Sequence, residues 1–556
     1  MTDSAEWKTM VLARGLLFVS MVSCAAGHAG AQTRPPLVPP QAVPAVEFPP
    51  TPPYVETAAQ QRPLWRLAVA EVVDRAFHNN LDLTIERYNQ LLARERVRGA
   101  LGYYDPLVSF SSNVGTANNP LTAVPGDSQI PVETVKTSGF TPSIKQNLIG
   151  GGTATATLTN SQSLTTSLTP TVNPSFASGF SASITQPLLR GLGATSIGRQ
   201  VGSNRLDVNI ADAQYRQKVT FVLQQTLTQY WELVFAIESY ETRRQSKDLA
   251  LVQYENTKLR VQSGLLTPTA LTASRAEIAG RERDMLLARV QIINAENALK
   301  QLLSEDPASP IWTMALIPTD RPAPEVATPA LQAALDAGLA HRPEIEQLRF
   351  QNRQNQIDRD FFSWEKKPTV NLSASYSALG KSGTVFQRVA GERLTDPANP
   401  AFGGYQNAWR QVSGFEFPTW SLGLTVQVPI TNRAASAQLV QTNLAGQRLR
   451  TQMTRAQQSV IVDVRSSLEV IAMQKQSLDA AHLTTQLSEE QLEAQSARYE
   501  AGFSTDFELL RYQRDFVDAK VRELRALVDL QLAVLSLQKA TDTLIEAQGA
   551  ILAPFR

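Results

Sequence analysis

An internal duplication constrains this chain more than any other feature. Asn80-Leu81-Asp82-Leu83 corresponds to Arg342-Pro343-Glu344-Ile345, and Asp105-Pro106-Leu107 to Lys367-Pro368-Thr369, both at an offset of 262 residues. Further on, Gln186-Pro187-Leu188 corresponds to Val428-Pro429-Ile430, and Ser263-Gly264-Leu265-Leu266-Thr267 to Ala501-Gly502-Phe503-Ser504-Thr505. Each copy reads helix, helix, strands, very long helix, helix. A repeated unit that mixes membrane-type strands with oversized helices points to a pore rather than to an active site.

The pattern divides the chain into a first repeat, 65–317, and a second, 331–547. In the first, helices are expected over 65–101, strands over 107–187 and a helical hairpin over 199–304. In the second, helices are expected over 331–364, strands over 369–428 and a hairpin over 433–547. The linker 318–330 holds four prolines, and 548–556 is a short tail. Residues 34–63 hold ten prolines, so 32–64 reads as an extended tether that cannot build a core.

The N-terminus reads as an export signal, 1–31. Lys8 and Arg14 precede the apolar run Gly15–Val22, and Ala29-Gly30-Ala31 supplies the small-residue cleavage pattern. A competing reading takes Met21-Val22-Ser23-Cys24 as a lipidation box, with Cys24 becoming an acylated N-terminus. Cys24 is the single cysteine, so no internal disulfide forms, and four histidines leave few zinc ligands. With 52 basic against 51 acidic residues there is no nucleic-acid footprint. After the N-terminus no apolar run is long enough for a helical membrane span.

The strand regions alternate. Thr153–Thr159, Val370–Ser377 and Trp420–Val428 place apolar or small residues on one face and Ser, Thr, Asn or Gln on the other. Solvated sheet faces and edges usually carry Lys, Glu or Arg; these carry almost none. Polar and apolar residues on alternate positions suit a water-filled lumen inside lipid. A soluble sandwich is the weaker reading.

Between Arg199 and Ser263 there is no proline and one internal glycine, Gly202. Tyr215, Val219, Val222, Thr226, Tyr230, Leu233, Ile237 and Tyr240 recur at coiled-coil spacing. Sixty-five helical residues span about 97 Å. The second copy runs from Arg433 to about Ala501. Each giant stops at a glycine, Gly264 or Gly502, suited to a helix C-cap. Thr267 and Thr505 are expected to cap the returning helices, 268–304 and 506–547. The shorter helices 81–101 and 268–304 total 58 residues, about 87 Å if stacked, which suggests a cylinder of uniform wall length.

On these residues the chain from about 65 onward resembles the TolC-like outer-membrane efflux proteins. The carriers are the double repeat, the Gln186-Pro187-Leu188-Leu189 and Val428-Pro429-Ile430 strand ends, and the tip Arg498-Tyr499-Glu500-Ala501-Gly502 through Leu509-Leu510. The resemblance implies a mixed α and β membrane protein, a homotrimer with one shared outer-membrane β-barrel continued by a long periplasmic α-helical barrel. It implies a passive exit duct in the Gram-negative outer membrane for efflux or type I secretion, in contact with outer-membrane lipid. An inner-membrane transporter would deliver substrate through a periplasmic adaptor that docks at Gly264, Leu265, Leu266 and Thr267 and at Gly502, Phe503, Ser504 and Thr505. No cofactor, enzymatic activity or nucleic-acid partner is implied. The rival is a non-conducting trimeric coiled-coil spacer of the envelope, lipid-anchored at Cys24.

Two departures from the family pattern stand out. Pro106 to Pro187 is 81 residues and Pro368 to Pro429 is 61, so the first strand region is longer by 20. The excess fits a hairpin turning at Ile149-Gly150-Gly151-Gly152. Either it widens the barrel or it lies outside; the second is preferred. The stretch 380–419 reads as an extracellular loop. At the entrance, Tyr499 and Glu508 match family gate positions, Ser504 replaces an arginine, Arg511 replaces an acid, and Ala270 stands where relatives carry an acid. With Asp506, these make a candidate gate in which Arg511 pairs with Glu508 or Asp506. Two decoys fail. Gly380-Lys381-Ser382 lacks the first glycine of a phosphate loop, and His341 near Glu344 lacks metal-site spacing.

Overall fold

A computed structural model describes residues 52–549 except 121–131, 168 and 390–391. The export signal, Cys24 and the end of the C-terminal tail lie outside the described residues. All described elements belong to one unit that begins at Pro50.

The first repeat opens with helix α1 (Tyr54–Gln61), strand β1 (Leu64–Leu67), and helices α2 (Val69–Asn79) and α3 (Leu81–Leu101). Four long strands follow: β2 (Leu107–Pro120), β3 (Val132–Asn147), β4 (Thr153–Thr165) and β5 (Val172–Pro187). The hairpin is α4 (Ser196–Gln262) and α5 (Pro268–Leu303), and β6 (Ala315–Pro318) closes the copy. The second repeat has α6 (Leu331–His341), α7 (Pro343–Glu365), β7 (Thr369–Val389), β8 (Glu392–Thr395), α8 (Tyr405–Ser413), β9 (Pro418–Gln427), α9 (Arg433–Glu500), α10 (Asp506–Ala540) and α11 (Leu544–Ala547).

Local chemistry explains most boundaries. Asn80 breaks α2 from α3, and its side-chain oxygen accepts from the Asp82 and Leu83 amides, an N-cap. Thr195 caps α4 in the same way, accepting from Gly198. The tips are twins. Gly264 (φ +73) and Gly502 (φ +81) take the left-handed conformation that glycine tolerates. The Leu265 amide donates to the Arg260 carbonyl at 2.9 Å, and Phe503 to Arg498 at 2.8 Å, the bond of a Schellman end. Thr505 caps α10 by accepting from the Glu508 amide. Thr267 does not cap α5; its hydroxyl pairs with that of Thr269 at 2.7 Å, and Pro268 at the first position removes one amide that needed a partner.

The helices form a layer with α4 at its centre. Helix α4 touches α3, α5, α7 and α10, while α9 touches α7, α10 and α6. Seven of the eight seam residues of α4 are buried; Ile237 is half-buried. Around them Leu67, Leu83, Ile292, Leu299, Val528 and Leu535 complete the main core. A second, smaller core joins Ile345, Val460, Val464, Ile471, Leu530 and Leu537.

Several expectations change. Residues 65–67 are strand, not helix: β1 pairs in parallel with β6, Leu64 to Ala315 through Leu67 to Pro318. Four residues carry too little periodicity to reveal a partner 250 positions away. The proposed tether ends in α1, held by a buried ion network. The Glu296 carboxylate accepts from Arg62 at 2.9 Å and pairs with Lys300 at 2.5 Å, and Lys300 also donates to the Trp312 and Met314 carbonyls. Buried charges persist only when paired and hydrogen-bonded in this way. The stretch 380–419 is not a loop; it holds the upper part of β7, β8 and α8.

The returning helix α10 ends at Ala540 rather than 547, because Asp542 turns left-handed (φ +56), and α11 follows. Its carboxyl accepts from the Thr220 hydroxyl at 3.1 Å. Burial, with Glu344 nearby, raises its pKa from 3.8 to about 6, against Thr220, Arg216 and Arg342, which lower it. A raised folded-state value means relative stability is lost as pH climbs from about 4 through about 6. Asn also tolerates the left-handed region. Asp542→Asn is therefore expected to raise the thermal midpoint at pH 8 and to leave it unchanged at pH 4, read by circular dichroism melts.

Candidate functional site

Six long strands make one antiparallel sheet in the order β2-β3-β4-β5-β7-β9. The added hairpin β3–β4 lies inside this order, between β2 and β5. The preference for a hairpin outside the sheet is therefore wrong. Its turn explains why it fits. A side chain at Gly151 (φ +83) would come within 2.3 Å of the Gly191 carbonyl, and the Gln186 amide donates to the Gly150 carbonyl at 2.9 Å. The turn is thus locked against the segment leading into α4.

The pairing fixes which residues share a face. Across the row Val108, Ile144, Ala156, Ala182, Tyr376 and Trp420, every even-numbered side chain lies on one side. That face is apolar from the helix-side rim upward: Phe110, Ile184, Leu372 and Leu424, then Leu158, Ala374 and Leu422. Seven residues in from the rim, an aromatic stands on four of six strands, Phe140, Phe180, Tyr376 and Trp420, with Val114 and Asn160 on the others. At the rim, Tyr103 and Tyr104 precede β2 and Trp364 ends α7, with the Lys367 ammonium over its ring. Two aromatic girdles flanking an apolar band are the signature of a membrane-spanning wall.

The odd-numbered face is lined by hydroxyls. Ser109 meets Ser143 at 2.6 Å and Ser375 meets Ser421 at 2.8 Å, oxygen to oxygen. In all six strands the charged residues are Glu133, Lys136, Lys145, Lys381 and Arg388. A sheet face this polar and this uncharged suits water on one side of a closed wall rather than open solvent. Among the described residues no helix is long and apolar enough to cross a membrane. Above the aromatic level, α8 lies on the even face. Tyr405 packs on Phe176 with ring centres 4.7 Å apart, and Gly380 gives room for the Ala408 backbone. The phosphate-loop decoy is thus part of a strand, and His341 is the exposed last residue of α6.

The strands also carry a stagger. Through the register Leu107 is level with Lys145, Thr155, Ser183, Ser375 and Ser421. Strand β9 runs six residues further, to Gln427. Six residues are roughly 20 Å and five inter-strand gaps roughly 24 Å, so the strands lean about 40° from the perpendicular to the rim.

At the other end, the tips put apolar side chains into solvent: Leu265, Phe503 and Phe507 are exposed, and Leu266 is half-buried. Behind them the hairpins α4–α5 and α9–α10 are cross-linked by polar contacts. The Asp506 carboxylate accepts from the Gln253 amide and, at 2.6 Å, from the Thr257 hydroxyl. Tyr499 is buried beneath the Arg260 guanidinium, 4.3 Å from its ring centre. Burial, then the neighbouring Asp506, pushes its hydroxyl up to about 12. Arg281, almost fully buried, donates to the Ser246 carbonyl at 2.8 Å and the Leu510 carbonyl at 3.1 Å. Arg514 reaches Glu277 at 3.3 Å.

The structure rewires the expected gate. Arg511 is exposed and lies 3.9 Å from Asp515, not from Glu508 or Asp506. Glu508 accepts from Ser504 at 2.9 Å within its own hairpin. Asp506 turns toward α4 instead, because α10 starts beside the seam where Gln253 and Thr257 are buried. Those two, with Arg260 and Arg281, are the residues that sequence reasoning missed. Their signal was present: Gln253 and Thr257 stand four apart in continuation of an otherwise apolar seam.

Residues 334–543 match the family model of the outer membrane efflux proteins. TolC of Vibrio cholerae is 24% identical over 340 residues, which is 60% of this chain and 71% of that protein. Among solved structures, the Campylobacter jejuni CmeC channel superposes with a TM-score of 0.58 at 14% identity, covering 85% of each chain. The Neisseria gonorrhoeae MtrE channel superposes with a TM-score of 0.55 at 17% identity, covering 85% of this chain and 88% of that one. The matched family model and these similar proteins are outer-membrane channels, not enzymes. Residues 334–543 thus carry an outer membrane efflux protein domain, and the chain as a whole shares the fold of solved outer-membrane channels.

Asp506→Ala would leave the buried Gln253 and Thr257 groups without their acceptor, a local loss of about 1–3 kcal/mol. Hydrogen exchange should speed up at 250–257 and 500–510 while the global melting temperature stays within a few degrees.

Proposed function

We propose that three copies of this chain form a passive exit duct across the outer membrane, with the helical hairpins reaching into the periplasm. The observation that carries the reading is the sheet itself: an apolar face between aromatic girdles, a hydroxyl face behind it, and helices of 67 and 68 residues continuous with its strands. Such helices are about 100 Å long. Self-association is supported by what the single chain leaves uncovered. Helix α4 buries 24 residues, while α9, of equal length, buries six. Val440, Leu444, Val462, Val470 and Met473 are exposed on α9, and Leu81, Ile85, Tyr88, Leu92 and Val290 on α3 and α5 at the other end of the layer. Stripes at opposite ends of one layer cover each other when copies join head to tail and close a ring.

In this duct, an inner-membrane transporter supplies substrate through a periplasmic adaptor that packs on Leu265, Leu266 and Phe503 at the tips. The contacts of Asp506, Tyr499 and Arg281 hold the tips together, and opening slides α9–α10 past α4–α5. The solved MtrE channel, similar in fold, is described in an open state. The spacer alternative is disfavoured by the hydroxyl face, which has no use in a rod.

Planar-bilayer recording tests the reading. The purified protein is expected to conduct, with the double variant Asp506→Ala and Arg281→Gln raising open probability several-fold. A trimer that inserts but passes no current, with or without these substitutions, would establish the spacer instead.

A further inference from the structure

We propose that the membrane barrel has eighteen strands, closed by pairing β2 of one copy with β9 of the next, Ser109 opposite Thr425. The inference rests on the trimer reading above.

Every inner strand of the sheet has two partners, whereas β2 pairs only with β3 and β9 only with β7 among the described residues. Both edge strands are exposed on nearly every residue. Unpaired backbone amides and carbonyls are not tolerated in hydrocarbon, so these two edges must meet partners. The partner that fits is a second copy. Strand β2 runs away from the helix rim and β9 runs toward it, so they meet antiparallel, like every other neighbouring pair among the six.

Height fixes the register. Ser109 stands two residues from the rim end of β2, and Thr425 two residues from the rim end of β9. Level pairing of this kind already joins β9 to β7, where Gln427 meets Thr369, and β4 to β3, where Thr153 meets Asn147. It places Phe110 beside Leu424 on the apolar face. It also sets Trp420 beside Val114, where β2 lacks an aromatic of its own. With this pairing each copy contributes a stagger of six residues over six gaps, a tilt of about 35°, inside the range that closed barrels adopt. Eighteen strands at that tilt enclose a backbone cylinder about 34 Å across. The wall is then too wide to choose between solutes. Its lining of hydroxyls takes bulky polar cargo, and discrimination is left to the tips.

Disulfide trapping in the full-length protein in its native membrane tests this. Ser109→Cys with Thr425→Cys should give covalent dimers and trimers on oxidation. Ser109→Cys with Thr185→Cys, the pair that would meet within one chain if β3–β4 left the wall and β2 moved against β5, should leave both thiols free. Each single variant is the control. The proposal is overturned if the Ser109–Thr185 pair bonds within a chain, if the Ser109–Thr425 pair links only within one chain, or if a trimer does not form the Ser109–Thr425 bond. The mass of the detergent-solubilised protein separates the two levels: a monomer contradicts the trimer, whereas a trimer with a Ser109–Thr185 bond contradicts only the strand count, and one without the Ser109–Thr425 bond only the closure.

Discussion

Backbone hydrogen bonding in hydrocarbon governs this molecule. A strand wall with one oily face belongs in lipid, and lipid offers no partner to an open edge. The sheet ends in two such edges, β2 and β9, so one copy alone is incomplete. The helices meet the same limit by a different force. Helix α4 is packed on both sides, whereas α9 buries only six of 68 residues. Hydrogen bonding at one end and apolar burial at the other therefore support the same proposal, neighbouring copies arranged in a ring.

Within one copy the two hairpins have different tasks. The α4–α5 pair carries most of the main core and ties down α1, β1 and β6 through Glu296, Lys300 and Arg62. The α9–α10 pair has a smaller core and is fastened at its tip by Asp506, Tyr499 and the buried Arg281. Polar contacts of this type are directional and break over short displacements, unlike a broad apolar interface. In the proposed duct, a tip held by them would release while the core above it stays packed.

Much of this was legible in the sequence, and the failures have physical causes. The seam from Tyr215 to Tyr240 is strictly periodic because α4 has partners on both sides. The stripe Leu81, Ile85, Tyr88, Leu92 reads correctly as helix, but its face is exposed within one chain, since periodicity does not say which molecule covers a face. The twin glycines at 264 and 502 announce their turns through the left-handed geometry that each helix end needs. Strand β1 was hidden because its meaning depends on β6, about 250 residues away. The place of β3–β4 in the wall depends on register, which spacing between prolines does not report. Arg511 was misassigned because charge complementarity along a helix says nothing of the direction in which Asp506 turns.

The central claim is that one face of the sheet meets lipid and the other meets water. Spin labels placed singly along β9, at Ser421, Leu422, Leu424, Thr425, Val426 and Gln427, test it most directly in the reconstituted protein. Residues 422, 424 and 426 should be reached by oxygen dissolved in lipid, and residues 421, 425 and 427 by a water-soluble paramagnetic quencher. Equal access to the aqueous quencher at all six positions, or the opposite alternation, would contradict the account.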